Sequence, residues 1–310
     1  MRTNVDIPSL QNNKPVFFGP FIGELGWELF RWSGFIRWLK KKYPKKEMVV
    51  ATRLGREDLY YNTVSKVHTF NIQGDYKQYK PNMYRLDGFP IPKLNQMIES
   101  YKQQYKNWTF VEPPINTNNR NVFRHNIQHF GFGVHPNNNK LVQDIIAEAG
   151  TRIPIALSPR KRNDLAAGGR MHNRNWAMGN WELLFDMIEQ SGDYYGIVMG
   201  KFPTFIRPSG NMKNLIVLED YVKGDSVTDI GATIATLKQV SLTIGQHSAI
   251  PLLSNYLRTP TLMWGEDRHR HTVLENPFKT TCLFIDDKKF NISPTVVFNY
   301  LKRISGRSNS

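Results

Sequence analysis

The first fifty residues alternate between two kinds of apolar pattern. Val16-Phe17-Phe18 is a continuous run ending in Gly19, as expected of a strand buried on both faces. From Glu24 to Tyr43 the apolar residues fall instead at Leu25, Leu29, Trp32, Ile36 and Leu39, a spacing that gives a helix one apolar stripe. The lysine-rich KKKYPKKE stops that helix, and MVVAT supplies a second buried strand. Strand, helix and strand in this order open a βαβ unit, which calls for a parallel sheet covered by helices.

Between Gln73 and Pro114 the period fades, leaving irregular connections and one helix around LNQMIESYKQQYKN. A helix LVQDIIAEAG then ends at Gly150, and RIPIALSP starts a new strand, so a second domain is expected to begin near residue 151. Its pattern is more regular. IPIAL, YYGIVMG, LIVLED, VSLTIG and PTLMWG read as strands, separated by the helices WELLFDMIEQSG, VTDIGATIATLKQ and SAIPLLSNYL, with Asn180 expected to cap the first of these. Ser293 and Pro294 are the expected cap and first position of a last helix, PTVVFNYLKRI.

Bulk properties narrow the class. The chain has 310 residues, 40% of them hydrophobic, enough for two α/β domains with sizeable cores. No apolar run reaches the roughly 18 residues needed to cross a bilayer, and the start lacks a secretory apolar segment. With a single cysteine, Cys282, no intrachain disulfide is possible, and a soluble, cytoplasmic protein is expected, with peripheral membrane contact left open. The net charge of +15 favours polyanionic partners: nucleic acid, nucleotide phosphates or anionic lipid headgroups.

Two turns carry candidate chemistry. In TIGQHSAIPLLSNYL a strand ends at Gly245 and a helix starts within Gln246, His247 and Ser248, where free backbone N–H groups attract phosphate. The alternative is an ordinary turn with serine as cap. After the strand IPIAL come Ser158-Pro159-Arg160-Lys161-Arg162, with Arg170, Arg174, Asn175 and Trp176 further on. Guanidinium forks match a diphosphate, and ligands gather at the carboxyl ends of α/β strands; the alternative is a solvated basic loop. Both turns belong to one sheet, so their loops can converge.

The order IALSPRKR, NRNW, NWELLFDMI, GIVMG and TIATLKQVSLTIGQHSAIPLLSNYLRTPTLMWG resembles the nucleotide-binding domain of heptosyltransferase-like GT-B glycosyltransferases. The opening VFFGPFIGELGWELFRWSGFIRWLKKKYP is similar to that group's first strand, Gly-acid turn and long helix. The resemblance implies two Rossmann-like domains facing across a cleft: 1–150 on the acceptor side, 151–292 on the nucleotide-sugar side, and a 293–310 helix and tail able to pack back on the first. It places Glu24 at the position of the group's catalytic Asp, the base for the acceptor hydroxyl, with Glu28 four residues on in reserve. It gives donor binding to Ser158, Arg160, Lys161, Arg162, Gly245, Gln246, His247 and Ser248. The chain departs from the group in having Glu for Asp, and in GQHSAIPLL where the group has Asp-Ser/Thr-Gly-Pro-x-His-Leu. For Glu24 the alternative is a carboxylate that only stabilises a helix start.

Absent motifs sharpen this. Without Asp-x-Asp, and with Asp286-Asp287 followed by two lysines, an Asp-held metal is not expected, nor any cofactor beyond the donor. His269 and His271 lack the partners of a zinc site. No G-x-x-x-x-G-K-[ST] or post-strand G-x-G-x-x-G points to an ATPase or dinucleotide enzyme. The implied reaction is metal-independent, inverting sugar transfer to an anionic glycan or glycolipid, or to a hydroxymethylated DNA base. The competing reading is a non-catalytic basic nucleic-acid-binding protein on a transferase-like fold. FIRWLKKKYPKKE, with lysines among aromatics, fits either a phosphate backbone or an ordinary basic helix end.

Overall fold

A computed structural model describes residues 13–72, 80–82, 85–113, 131–161, 175–200, 205–222, 229–267, 270 and 278–307. The chain divides into two compact units, Met1–Gly133 and Val134–Ser310. This falls earlier than the expected boundary at 150. The helix read as the end of the first domain packs in the second unit, where Gln239 Nε2 donates to Asn139 Oδ1 at 3.1 Å.

In the first unit β1 (Val16–Phe21) leads to a short α1 (Leu25–Trp27), a π-helical segment Glu28–Trp32 and α2 (Ser33–Lys42). There follow β2 (Met48–Arg53), a 3₁₀ turn Glu57–Tyr60 and β3 (Lys66–Phe70). The hairpin β4 (Lys80–Asn82) and β5 (Arg85–Asp87), α3 (Ile91–Gln104) and β6 (Thr109–Val111) complete it. The main sheet is parallel, in the order β3-β2-β1-β6. β1 is buried along its whole length because it is central, which accounts for its unbroken apolar run. Trp32 is fully buried, edge-on to Phe18, whereas Trp38 is partly exposed and stacks on Phe35. The helix read as continuous over Glu24–Tyr43 contains the π segment, in which the Ser33 N–H donates to the Glu28 carbonyl five residues back.

The second unit begins with α4 (Pro136–Ala147), β7 (Ile153–Ser158), α5 (Met178–Ser191), β8 (Tyr194–Val198) and β9 (Leu215–Val217). It continues through α6 (Asp229–Gln239), β10 (Leu242–Gln246), α7 (Ala249–Tyr256), β11 (Thr261–Gly265), β12 (Cys282–Asp286) and α8 (Pro294–Ile304). Its parallel six-stranded sheet runs β12-β11-β10-β7-β8-β9, so the unit's strands lie in the order 6-5-4-1-2-3 of the doubly wound nucleotide-binding folds. Asn180 is not the cap of α5: its own N–H already donates to the Ala177 carbonyl, and the helix starts at Met178. Ser293 and Pro294 do occupy the cap and first position of α8. That helix packs on α5 and puts Val297, Phe298 and Leu301 into the second unit's core with Trp176, Trp181 and Trp264.

Candidate active site

In a doubly wound sheet the connections from the two middle strands leave in opposite directions, opening a crevice at their carboxyl ends. In the second unit these strands are β7 and β10, and Gly245 pairs in register with Ser158. The two turns singled out in the sequence are therefore neighbours at that switch point. Gly245 makes the close approach possible, because a Cβ there would lie 3.0 Å from Ser158 Cβ and 3.1 Å from Pro251 Cγ. Beyond β7, Arg160 is half-buried and bridges to Phe205, while Lys161 is exposed. Arg162, Arg170 and Arg174 lie outside the described residues.

Gln246 ties the turns together. Its side chain is fully buried and Nε2 donates to the Arg160 carbonyl at 3.0 Å. His247 is nearly buried against Gly265, and its N–H donates to the Trp264 carbonyl of β11 at 2.8 Å. Ser248 sits at the start of α7 in an extended conformation and makes no side-chain capping bond, so the plain-cap alternative is not what this hydroxyl does. The first turn of α7 presents N–H groups that have no intrahelical acceptor, save at Pro251, which has none to offer.

The first unit has its own switch point, at β1 between β2 and β6. The chain leaves β1 through Ile22 and Gly23 and reaches Glu24, the residue before α1. Glu24 is partly exposed and its side chain makes no capping bond; its carbonyl accepts from the N–H groups of Trp27 and Glu28, both at 3.1 Å. The sequence placed Glu28 in reserve as a base, but it is fully buried. Its Oε1 accepts from Thr52 and, at 2.7 Å, from Tyr60; its Oε2 pairs with Arg56. A carboxylate so enclosed cannot touch a substrate. Burial, followed by the adjoining Glu28 charge, holds the Tyr60 hydroxyl well above its ordinary value and keeps it a donor.

Sequence reading missed Thr52, Arg56 and Tyr60, which lie 24 to 32 positions from Glu28 and share no motif with it. Asp287 is a turn former, accepting from the N–H groups of Lys289 and Ile292. Among the described residues no three His, Cys, Asp or Glu side chains form a group that could hold a metal ion; His269 and His271 fall outside them. The lysines of the basic helix end cover their own aromatics, Lys42 lying 5.2 Å over Trp38 and 5.3 Å over Tyr43. A depression of about 510 Å³ beside Arg258, Phe278 and Lys279 opens at the amino ends of β11 and β12, the edge opposite the switch point.

The sequence matches no protein-family model and no curated relative. Solved structures do match over nearly its whole length. The glycosyl transferase family 9 protein of Veillonella parvula DSM 2008 has 11% identity and a TM-score of 0.58, covering 96% of this chain and 98% of that one. The E. coli ADP-heptose lps heptosyltransferase II has 10% identity and a TM-score of 0.59, covering 96% and 100%. E. coli heptosyltransferase WaaC with ADP has 9% identity and a TM-score of 0.54, covering 93% and 99%. The fold is that of the heptosyltransferase-like GT-B glycosyltransferases. At these identities it is the path of the chain that is shared. Among the described residues no helix is long and apolar enough to cross a membrane.

Proposed function

We propose that the protein is a nucleotide-sugar-dependent, inverting glycosyltransferase whose second unit binds the donor and whose Glu24 is the general base. The observation that carries this is the meeting of the β7 and β10 turns at the switch point, which supports a diphosphate site formed by Arg160, Lys161, Ser248 and the α7 amides. The WaaC structure holds ADP on a similar chain path, which supports a nucleoside diphosphate as the leaving group. In the reaction the acceptor oxygen attacks the anomeric carbon, the bond to the diphosphate breaks, and the acceptor proton passes to the Glu24 carboxylate. Positive side chains and helix-start N–H groups take up the charge that grows on the departing diphosphate. Since these groups are fixed before reaction, no Asp-held metal is needed for that task. The surplus of positive charge favours an anionic glycan or glycolipid as acceptor.

Two measurements test the proposal. Thermal-shift titration with ADP, UDP and GDP should raise the melting temperature for at least one, since only ligands preferring the native state do so. With the matching nucleotide-sugar, Glu24→Gln should cut turnover by about 10²- to 10⁴-fold and leave donor affinity within about two-fold. Unchanged turnover would remove Glu24 from the chemistry, and no shift with any nucleotide would remove the donor site.

A further inference from the structure

The buried ion pair beneath Glu24 has no evident use in stability. Burying two charges costs desolvation that their attraction at best offsets, and apolar replacements are often as stable or more so. Its geometry suggests another use. Arg56 Nη1 donates both to Glu28 Oε2 and, at 3.2 Å, to the carbonyl of Gly23, the residue before Glu24. The Glu28 N–H donates to the carbonyl of Glu24 at 3.1 Å. The peptide group before Glu24 is thus held by the guanidinium of the pair, and the one after it by the first turn of the helix that carries the pair's carboxylate.

That pair is itself anchored in three directions. Thr52 fixes Glu28 to β2, and Tyr60 fixes it to the 3₁₀ turn. Arg37 holds the same turn against α2, donating to the Leu59 carbonyl at 2.9 Å and to Ser33 Oγ at 3.1 Å. Burial lowers the Arg37 guanidinium to about 9, still charged at neutral pH. The loop from Gly23 through Glu24 to Glu28 is closed on itself and bolted to the sheet.

We propose that Arg56 and Glu28 are positioning residues that fix the direction of the Glu24 carboxylate toward the acceptor hydroxyl, an inference that rests on Glu24 as the base. A misplacement of about 1 Å at a reacting group can cost on the order of 100-fold in rate, so support of this stiffness has a kinetic reason.

The test is Arg56→Lys, which keeps the charge beside Glu28 but loses the reach to Gly23, beside a Thr52→Val/Glu28→Met/Arg56→Met/Tyr60→Phe variant that removes the ion pair together with the two hydroxyls bonded to Glu28. For both we expect kcat to fall about ten-fold or more while donor affinity, read by calorimetry, stays within about two-fold; Arg56→Lys should retain more turnover than the apolar variant. A folded variant of either kind with wild-type kcat overturns the inference, because a purely structural pair would change the melting temperature and leave kcat alone. Glu24→Gln in the same assay separates the two ideas: if it is inactive and the network variants are fully active, positioning alone fails. If Glu24→Gln is fully active, the base assignment fails and takes the positioning role with it.

Discussion

The two units begin with the same arrangement, a central first strand with the second and third on one side and the fourth on the other, yet they support their first turns by opposite means. Beneath the β1 turn of the first unit lies a buried ion pair, Glu28 with Arg56. Beneath the β7 turn of the second lies a neutral amide, Gln246, holding the Arg160 carbonyl, together with a glycine that lets the strands' loops close up. The contrast follows from what each turn presents. A carboxylate proposed as a base needs a fixed direction, which charged, multidentate partners enforce. The diphosphate site proposed for the other turn needs dipoles and cations without an adjoining anion, and a buried carboxylate in place of Gln246 would repel such a ligand.

The largest effect that would break this comparison is the loss of turnover expected for Glu24→Gln, confined to chemistry and absent from donor binding. Next comes glycine replacement. At Gly19, with φ of +114°, an added Cβ would sit 2.5 Å from the Ala51 carbonyl of the neighbouring strand, so Gly19→Ala should cost about 3 kcal/mol or more in denaturant unfolding. In Gly245→Ala the added Cβ would lie 3.0–3.1 Å from Ser158 Cβ, the Ser158 carbonyl and Pro251 Cγ, so these need yield only slightly, and about 1–3 kcal/mol is expected with weaker nucleotide binding. If Gly245→Ala is the costlier of the two, the second unit's turn is the more rigid and the contrast is reversed. Arg160→Ala should weaken nucleotide binding about ten-fold by calorimetry without changing the melting temperature of the free protein, since its backbone tie to Gln246 survives.

The smallest effect concerns alkali. Burial pushes the Cys282 thiol of the second unit up to about 11 from 9.0. A raised folded value means that this contribution is complete below pH 9 and is lost as pH climbs toward 11, on the order of 1–2 kcal/mol. Cys282→Ala should reduce the fall of unfolding free energy over that interval and leave the loss expected above pH 10 from the raised tyrosines, among them Tyr60 in the first unit, raised by burial and by Glu28.

The second unit was the more legible in sequence because its strands are apolar and regularly separated, and because both of its candidate turns follow strands directly. What failed there was local: α5 begins at Met178 because the carbonyl of the extended Ala177 already accepts from Asn180 and Trp181, and the edge strand β12, half-buried, has too weak a pattern to stand out. In the first unit β1 and β2 were plain, but β6 has three partly exposed residues and pairs with β1 across more than ninety positions. The pattern at Leu25, Leu29, Trp32, Ile36 and Leu39 could not reveal the π segment, since alternate steps of four and three suit either kind of coil. Nor could it reveal Glu28, whose fate depends on Thr52, Arg56 and Tyr60, brought beneath it only once β2 and its following turn lie beside β1.

The wide turn at Glu28–Trp32 amounts to one surplus residue wound into an otherwise regular coil. Because the wide turn takes up that residue locally, the coil on either side of it keeps nearly the phase of an unbroken α-helix. One short stretch can thereby seat a polar anchor, Glu28, at its start and an apolar one, Trp32, at its end.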